Sequence, residues 1–255
     1  MDRLVHTVKK PLAILLIVFF GMILTTCEEP GKEEEKEEKQ TITFSKTYGG
    51  SDWDGGVSIQ QTTDGGYIIS GFTNSYGNGG QDAWLVKTDS VGGTLWTQTF
   101  GGSSTDASMS VQQTTDGGYV IVGYTDSFGN GYQDFYLTKT DSQGNEEWNK
   151  TIGGTEPEMG YSIQQTTDGG YIITGEKWSG EIDGYDFWLI KTDSQGDEEW
   201  NKTYGGSDWD NGRSVQQTTD GGYIIAGQTG SFGNGGTDVW LIKTDSEGNT
   251  VSYGD

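Results

Sequence analysis

Carboxylates and aromatic rings are the side chains of this 255-residue sequence whose spacing admits chemistry. Glu156, Glu158, Glu176 and Glu181 lie close together in the chain and offer a pair of carboxylic acids, which glycoside hydrolysis needs at a suitable separation. Asp54, Asp106, Glu158 and Asp210 recur at one step, and Asp82, Asp134, Asp186 and Asp238 recur at the same step. Oxygen ligands grouped in this way suit a hard cation such as Ca²⁺. The same residues also suit a plainer role, accepting backbone N–H groups at turns, and no EF-hand spacing is present. Trp53 and Trp209 stand beside Asp54 and Asp210, and Trp178 follows Glu176 by two residues. Flat rings beside carboxylates suit stacking on the C–H faces of a sugar with hydrogen bonds to its hydroxyls. Tyr76, Phe128 and Phe232 occupy equivalent loop positions and read equally well as wedges between sheets.

Other chemistries are excluded by composition. The single histidine is His6 and the single cysteine is Cys27. The chain beyond residue 27 therefore has no means for a Ser-His-Asp or Cys-His mechanism, for a His/Cys zinc site or for an intrachain disulfide. A formal charge of −23 repels phosphate backbones and makes nucleic acid a poor partner. The expectation is binding rather than turnover, with no catalytic residue assigned and no cofactor beyond the candidate Ca²⁺.

The first 26 residues read as a secretory leader. Arg3, Lys9 and Lys10 precede a short apolar run from Leu12 to Leu24, too short for a membrane span. Leu24-Thr25-Thr26-Cys27 resembles the lipobox of bacterial lipoproteins, with Thr26 in place of the usual Gly, Ala or Ser. That resemblance implies lipidation at Cys27, a membrane anchor and an extracytoplasmic place in a bacterial cell envelope. An uncleaved leader would also leave the chain on a membrane. Residues 27–40 follow as an acidic, flexible tether: Glu28 to Gln40 hold seven Glu and three Lys and have too little apolar surface to offset the entropy of ordering. An acidic stretch after the cysteine also resembles the surface-export signals of Bacteroidetes lipoproteins.

Residues 41–255 must position the candidate site, and they are repetitive. The octapeptide QQTTDGGY begins at Gln60, Gln112, Gln164 and Gln216, a constant step of 52. Within one unit, VSIQQTT (57–63) and YIISGFT (67–73) flank Asp64-Gly65-Gly66, the signal of a hairpin. A loop rich in Asn and Gly leads to a third strand, 83–88, and a second turn to a fourth, 95–100. Four short antiparallel strands per unit are the content of a propeller blade. Residues 43–50 align with 199–206, the fourth strand of the third unit, whereas the fourth unit has no such strand after Asn249. The expectation is an all-β, four-bladed β-propeller of 52-residue repeats closed by the N-terminal strand, with an open stack as the alternative. A closed ring leaves no edge to aggregate.

The motifs GGS-D, S-QQTTDGGYI-G-T and D-WL-KTDS-GN-W, seen between Gly205 and Asn249, resemble the bacterial and archaeal β-propeller repeats known from seven-bladed proteins, and more distantly Kelch repeats. The resemblance covers residues 42–255 and implies the fold without a function. It places function on the loop face, where Trp53, Asp54, Glu176, Trp178, Trp209 and Asp210 are the candidate ligand-binding residues. A glycan or a surface protein is the expected partner. A carbohydrate-active enzyme and a purely structural envelope component are the alternatives.

Overall fold

The computed structural model describes residues 41–180 and 184–250. The expected leader, the lipidation site Cys27, the tether of residues 27–40 and Glu181 lie outside the described residues. Those described form antiparallel sheets, one to each repeat. The first contains β1 (Asp54–Gln61), β2 (Tyr67–Thr73), β3 (Asp82–Thr88) and β4 (Thr94–Phe100), paired in that order. The second repeats the arrangement with β5 (Asp106–Gln113), β6 (Tyr119–Thr125), β7 (Asp134–Thr140) and β8 (Glu146–Ile152). The third holds β9 (Glu158–Gln165), β10 (Tyr171–Trp178), β11 (Tyr185–Thr192) and β12 (Glu198–Tyr204). The fourth has only β13 (Asp210–Gln217), β14 (Tyr223–Thr229) and β15 (Asp238–Thr244) among the described residues.

Local chemistry accounts for each sheet. Asp64 accepts from the Thr62 hydroxyl and from Gly66 N at 2.9 Å, while Gly65 takes φ 83°, where a Cβ is strained. Gly71 is required for a different reason: a Cβ there would lie 1.9 Å from the Gly55 carbonyl oxygen. The KTD motif then ties the third strand to this turn. Lys87 is buried in the sheet and its ammonium reaches Asp64 at 2.8 Å; Lys139–Asp116 and Lys191–Asp168 repeat the pair at 2.9 and 3.0 Å. Lys139 and Lys191 each find a second carboxylate, Glu147 at 2.7 Å and Glu199 at 2.9 Å. In the first unit the residue equivalent to Glu147 is Leu95, so Lys87 has Asp64 alone.

The core is divided among the joints between sheets. Ala83 and Leu85 of the first sheet cluster with Val111 and Tyr119 of the second. Phe135 and Leu137 cluster with Ile163 and Tyr171, and Phe187 and Leu189 with Val215 and Tyr223. At each joint the fourth-strand tryptophan also meets the tyrosine of the next DGGY motif. Trp96–Tyr119, Trp148–Tyr171 and Trp200–Tyr223 have ring centroids 5.7, 6.0 and 5.8 Å apart.

Closure by the N-terminal strand is not formed. Residues 41–50 carry no strand and do not pair with β15. They do lie against the first sheet as a preceding fourth strand would. Phe44 meets Tyr67 at 5.9 Å, and the Tyr48 hydroxyl donates to Gly92 O at 2.9 Å, as the Tyr204 hydroxyl donates to Gly248 O at 2.5 Å. The segment keeps its side-chain contacts to the next sheet and lacks the backbone ladder of its own.

Candidate functional site

The two recurring acidic positions come together at the same end of each joint. Carboxylates of Asp82 and Asp106 flank Gly101, and those of Asp134 and Glu158 flank Gly153. Loop N–H groups and hydroxyls take up much of their acceptor capacity, although Asp210 Oδ1 is buried without a hydrogen-bond partner. Asp54 accepts from Gly50 N at 2.8 Å, from the Ser75 hydroxyl at 2.7 Å and from the Thr73 hydroxyl. Asp210 accepts from Gly206 N at 3.0 Å and from Ser231 at 2.7 Å, and Asp82 from Asn78 N at 2.9 Å. Burial opposes ionisation of Asp54, but the bonds from Thr73, Gly50 and Ser75 hold its carboxyl below the usual range. Burial dominates at Asp82, Asp134 and Glu158 and pushes all three up. Among the described residues, no group of three or more His, Cys, Asp or Glu is arranged to hold a metal.

The loop aromatics divide into two kinds. Tyr76, Phe128 and Phe232 rest on third-strand rings of their own sheets, Trp84, Tyr136 and Trp240, at 5.9, 5.9 and 5.0 Å. Trp53 is 83% exposed and Trp209 half-buried, on the first and fourth sheets respectively, the two ends of the series. Trp178 packs edge-on against Tyr185 at 5.1 Å. Of the third-unit carboxylates, Glu156 is exposed and Glu158 lies 3.8 Å from Lys177. Glu158 pairs across the ladder with Lys177, and Glu176 with Met159. Successive residues point to opposite faces of a sheet, so Glu158 and Glu176 do not converge on one bond.

A different set of residues does converge. In a chain whose units are otherwise near copies, four positions differ in every unit, apart from one small residue inside the second strand. One is the bulged residue of the first strand, skipped by the pairing register: Val57, Met109, Tyr161 and Arg213. Two more form a cross-strand pair beside it: Gly55 with Phe72, Ala107 with Tyr124, Met159 with Glu176 and Asn211 with Gln228. The last lies two residues on, at Asn74, Asp126, Trp178 and Gly230. Bulges re-aim side chains and concentrate near functional sites.

In the third and fourth units this variable set becomes a polar cluster. The Tyr161 hydroxyl donates to Glu176 Oε1 at 2.7 Å, and the Arg213 guanidinium stacks over the Tyr161 ring at 4.0 Å. Burial pushes the Tyr161 hydroxyl well above its ordinary value, and the charge of Glu176 adds to the effect. Glu176 Oε2 and both side-chain polar atoms of Asn211 are buried without a hydrogen-bond partner. Unpaired buried groups of this kind cost about 1–3 kcal/mol each. Arg213 and Gln228, by contrast, are exposed. Of this cluster, sequence reasoning singled out Glu176 and Trp178 and missed Tyr161, Asn211, Arg213 and Gln228. Comparing the units for what differs, rather than for what recurs, would have found them.

No family model matches this sequence, and no curated protein matches it. Among solved structures the chain is similar to a protein of unknown function from Bacteroides caccae, at 13% identity and a TM-score of 0.47, over 77% of this chain and 65% of that one. It thus spans about two-thirds of that protein's length. It is also similar to an endo-arabinase from Bacteroides thetaiotaomicron, at 14% identity and a TM-score of 0.48, over 75% of each chain.

Proposed function

We propose that this chain is a membrane-tethered, extracytoplasmic binding module that takes a glycan at the cluster formed by Tyr161, Glu176 and Arg213. The carrying observation is that Tyr161, Glu176 and Arg213, three of the residues that vary between near-identical units, meet in space, with Glu176 Oε2 buried and unpaired. A sugar fits this chemistry. Its hydroxyls donate to carboxylate and amide oxygens and accept from Arg213 and Gln228, and its C–H faces suit the rings of Trp178 and Tyr185. No covalent step is invoked. The leader with Cys27 supports the anchor, and the acidic surface disfavours phosphate-bearing partners.

Glycan-array binding by the full chain in detergent tests this reading. Glu176→Ala and Arg213→Ala should each weaken a bound glycan at least tenfold. Trp178→Ala should weaken it less, and Trp53→Ala with Trp209→Ala should leave it nearly unchanged. Retention of full affinity by Glu176→Ala and Arg213→Ala would overturn the cluster as the site, and loss confined to Trp53 and Trp209 would move it to the ends of the series.

A further inference from the structure

The two ends of the sheet series expose the residue types that the internal joints bury. Val111, Ile163 and Val215 are 7, 6 and 3% exposed, whereas Ile59, at the same place in the first unit, is 65% exposed. At the other end Leu85, Leu137 and Leu189 are at most 1% exposed, whereas Leu241 is 64% and its neighbour Val239 85% exposed. Each internal joint buries the first residue type against the second. The open ends therefore present Ile59 on one side and Val239 with Leu241 on the other, the two partners of a joint that is not made.

The polar groups are complementary in the same way. Across the joints Gln113, Gln165 and Gln217 donate their backbone N–H to Gln60, Gln112 and Gln164 Oε1 at 2.6, 2.5 and 2.5 Å. Thr63, Thr115 and Thr167 donate in the reverse direction to Gln113, Gln165 and Gln217 Oε1, at 2.9 Å each time. The next step of this ladder would join Gln61 N to Gln216 Oε1 and Thr219 N to Gln61 Oε1, two bonds the single copy does not make. Beside β15, where a fourth strand would add, lies a groove of about 560 Å³ lined by Tyr204, Phe232, Trp240, Leu241 and Lys243.

We propose that these ends dock a second copy of this chain head to tail, with residues 42–48 of one copy entering the β15 groove of the other. The internal joints agree in hydrogen-bond geometry to about a tenth of an ångström, yet the ends remain exposed. Among the described residues the two ends do not meet, and a second copy provides another joint of that geometry without changing the existing ones. Head-to-tail contact of this kind closes into a ring or continues as a filament, according to the joint angle. The register is that of β11 and β12, where Phe187, Leu189 and Lys191 pair with Tyr204, Lys202 and Trp200. The equivalent pairs are Val239 with Tyr48, Leu241 with Lys46 and Lys243 with Phe44. Because each copy carries a charge of −23, salt should strengthen the contact by screening.

Cross-linking of the full chain in detergent tests this. Directly paired residues have Cβ atoms about 5 Å apart, so Lys46→Cys mixed with Leu241→Cys should give a disulfide-linked species of twice the chain mass. Neither variant alone, nor the parent with Cys27, should do so. Sedimentation equilibrium should show mass rising with concentration, and Leu241→Asp or Ile59→Asp should weaken the association at least tenfold without changing the fold of the single copy by circular dichroism. Monomer mass at every concentration would overturn the proposal. So would a cross-link confined to one chain in the Lys46→Cys/Leu241→Cys double variant, which would establish closure within the chain.

Discussion

Leu189 and Leu241 occupy the same position in successive units, in the same strand and beside the same motif, yet one is sealed in a joint and the other faces solvent. The difference lies wholly in the adjoining sheet. Leu189 is covered by the fourth sheet, and Leu241 has no sheet beyond it among the described residues. Burial in a stacked repeat is thus a property of the neighbour rather than of the residue, as expected where stability is a sum over units and the joints between them.

The largest test of this comparison is truncation at the two positions. Leu189→Ala should cost about 2–5 kcal/mol, the usual range for a buried leucine, whereas Leu241→Ala in a dilute single copy should stay within about 0.5 kcal/mol. Urea unfolding midpoints of the two variants measure the contrast, and equal losses would mean that the Leu241 face is covered.

A second contrast, expected to be somewhat smaller, concerns the buried lysines. Asp64→Ala strands Lys87 with only the Thr88 carbonyl at 2.9 Å, whereas Asp116→Ala leaves Lys139 with Glu147. The first should cost about 3 kcal/mol, as when a buried charge loses its partner. The second should cost at least about 1 kcal/mol less, because a carboxylate remains in place. Denaturant unfolding of the two variants would show the order, and a reversed order would mean that Glu147 contributes nothing.

The same ion pairs make stability depend on acid. Two hydrogen bonds from Lys87, with further ones from the Thr62 hydroxyl and Gly66 N, hold the Asp64 carboxyl at about 2, below its ordinary 3.8. Since the unfolded chain then binds more protons, stability is complete above pH about 4 and declines as the pH falls toward 2. The melting temperature should drop over that window, and Asp64→Asn should flatten the drop. The smallest effect is expected at Trp53→Ala: an 83% exposed ring carries little packing, so its melting temperature should stay within about 1 °C of the parent.

The strands themselves were legible to within a residue or so in most cases. Tyr67–Thr73 coincides with the expected second strand, and Asp82–Thr88 and Thr94–Phe100 each begin one residue earlier than expected. The first strand begins at Asp54 rather than at Val57, because the bulge at Val57 lets pairing continue through Gly55 and Gly56. Nothing local to VSIQQTT announces that bulge. The hydrogen-bonded acidic positions were legible as turn caps, but the meeting of Asp82 with Asp106 was not, since it needs two sheets side by side. Tyr161, Glu176 and Arg213 are separated by 15 and 37 positions in chain number, and no periodicity links residue types that occur once each in four units.

The amino-acid sequence by itself determined what short-range physics controls: strand alternation, the glycine turns, the Asp caps and the identical step that makes the units stack. Only the tertiary structure decided which of several identical apolar residues is covered and which odd residues meet in the third and fourth sheets. The physical reason is range. Turns and strands are set by neighbours along the chain, whereas burial depends on the sheet next door, and the same residue meets a different neighbour at the end of a series than in its middle.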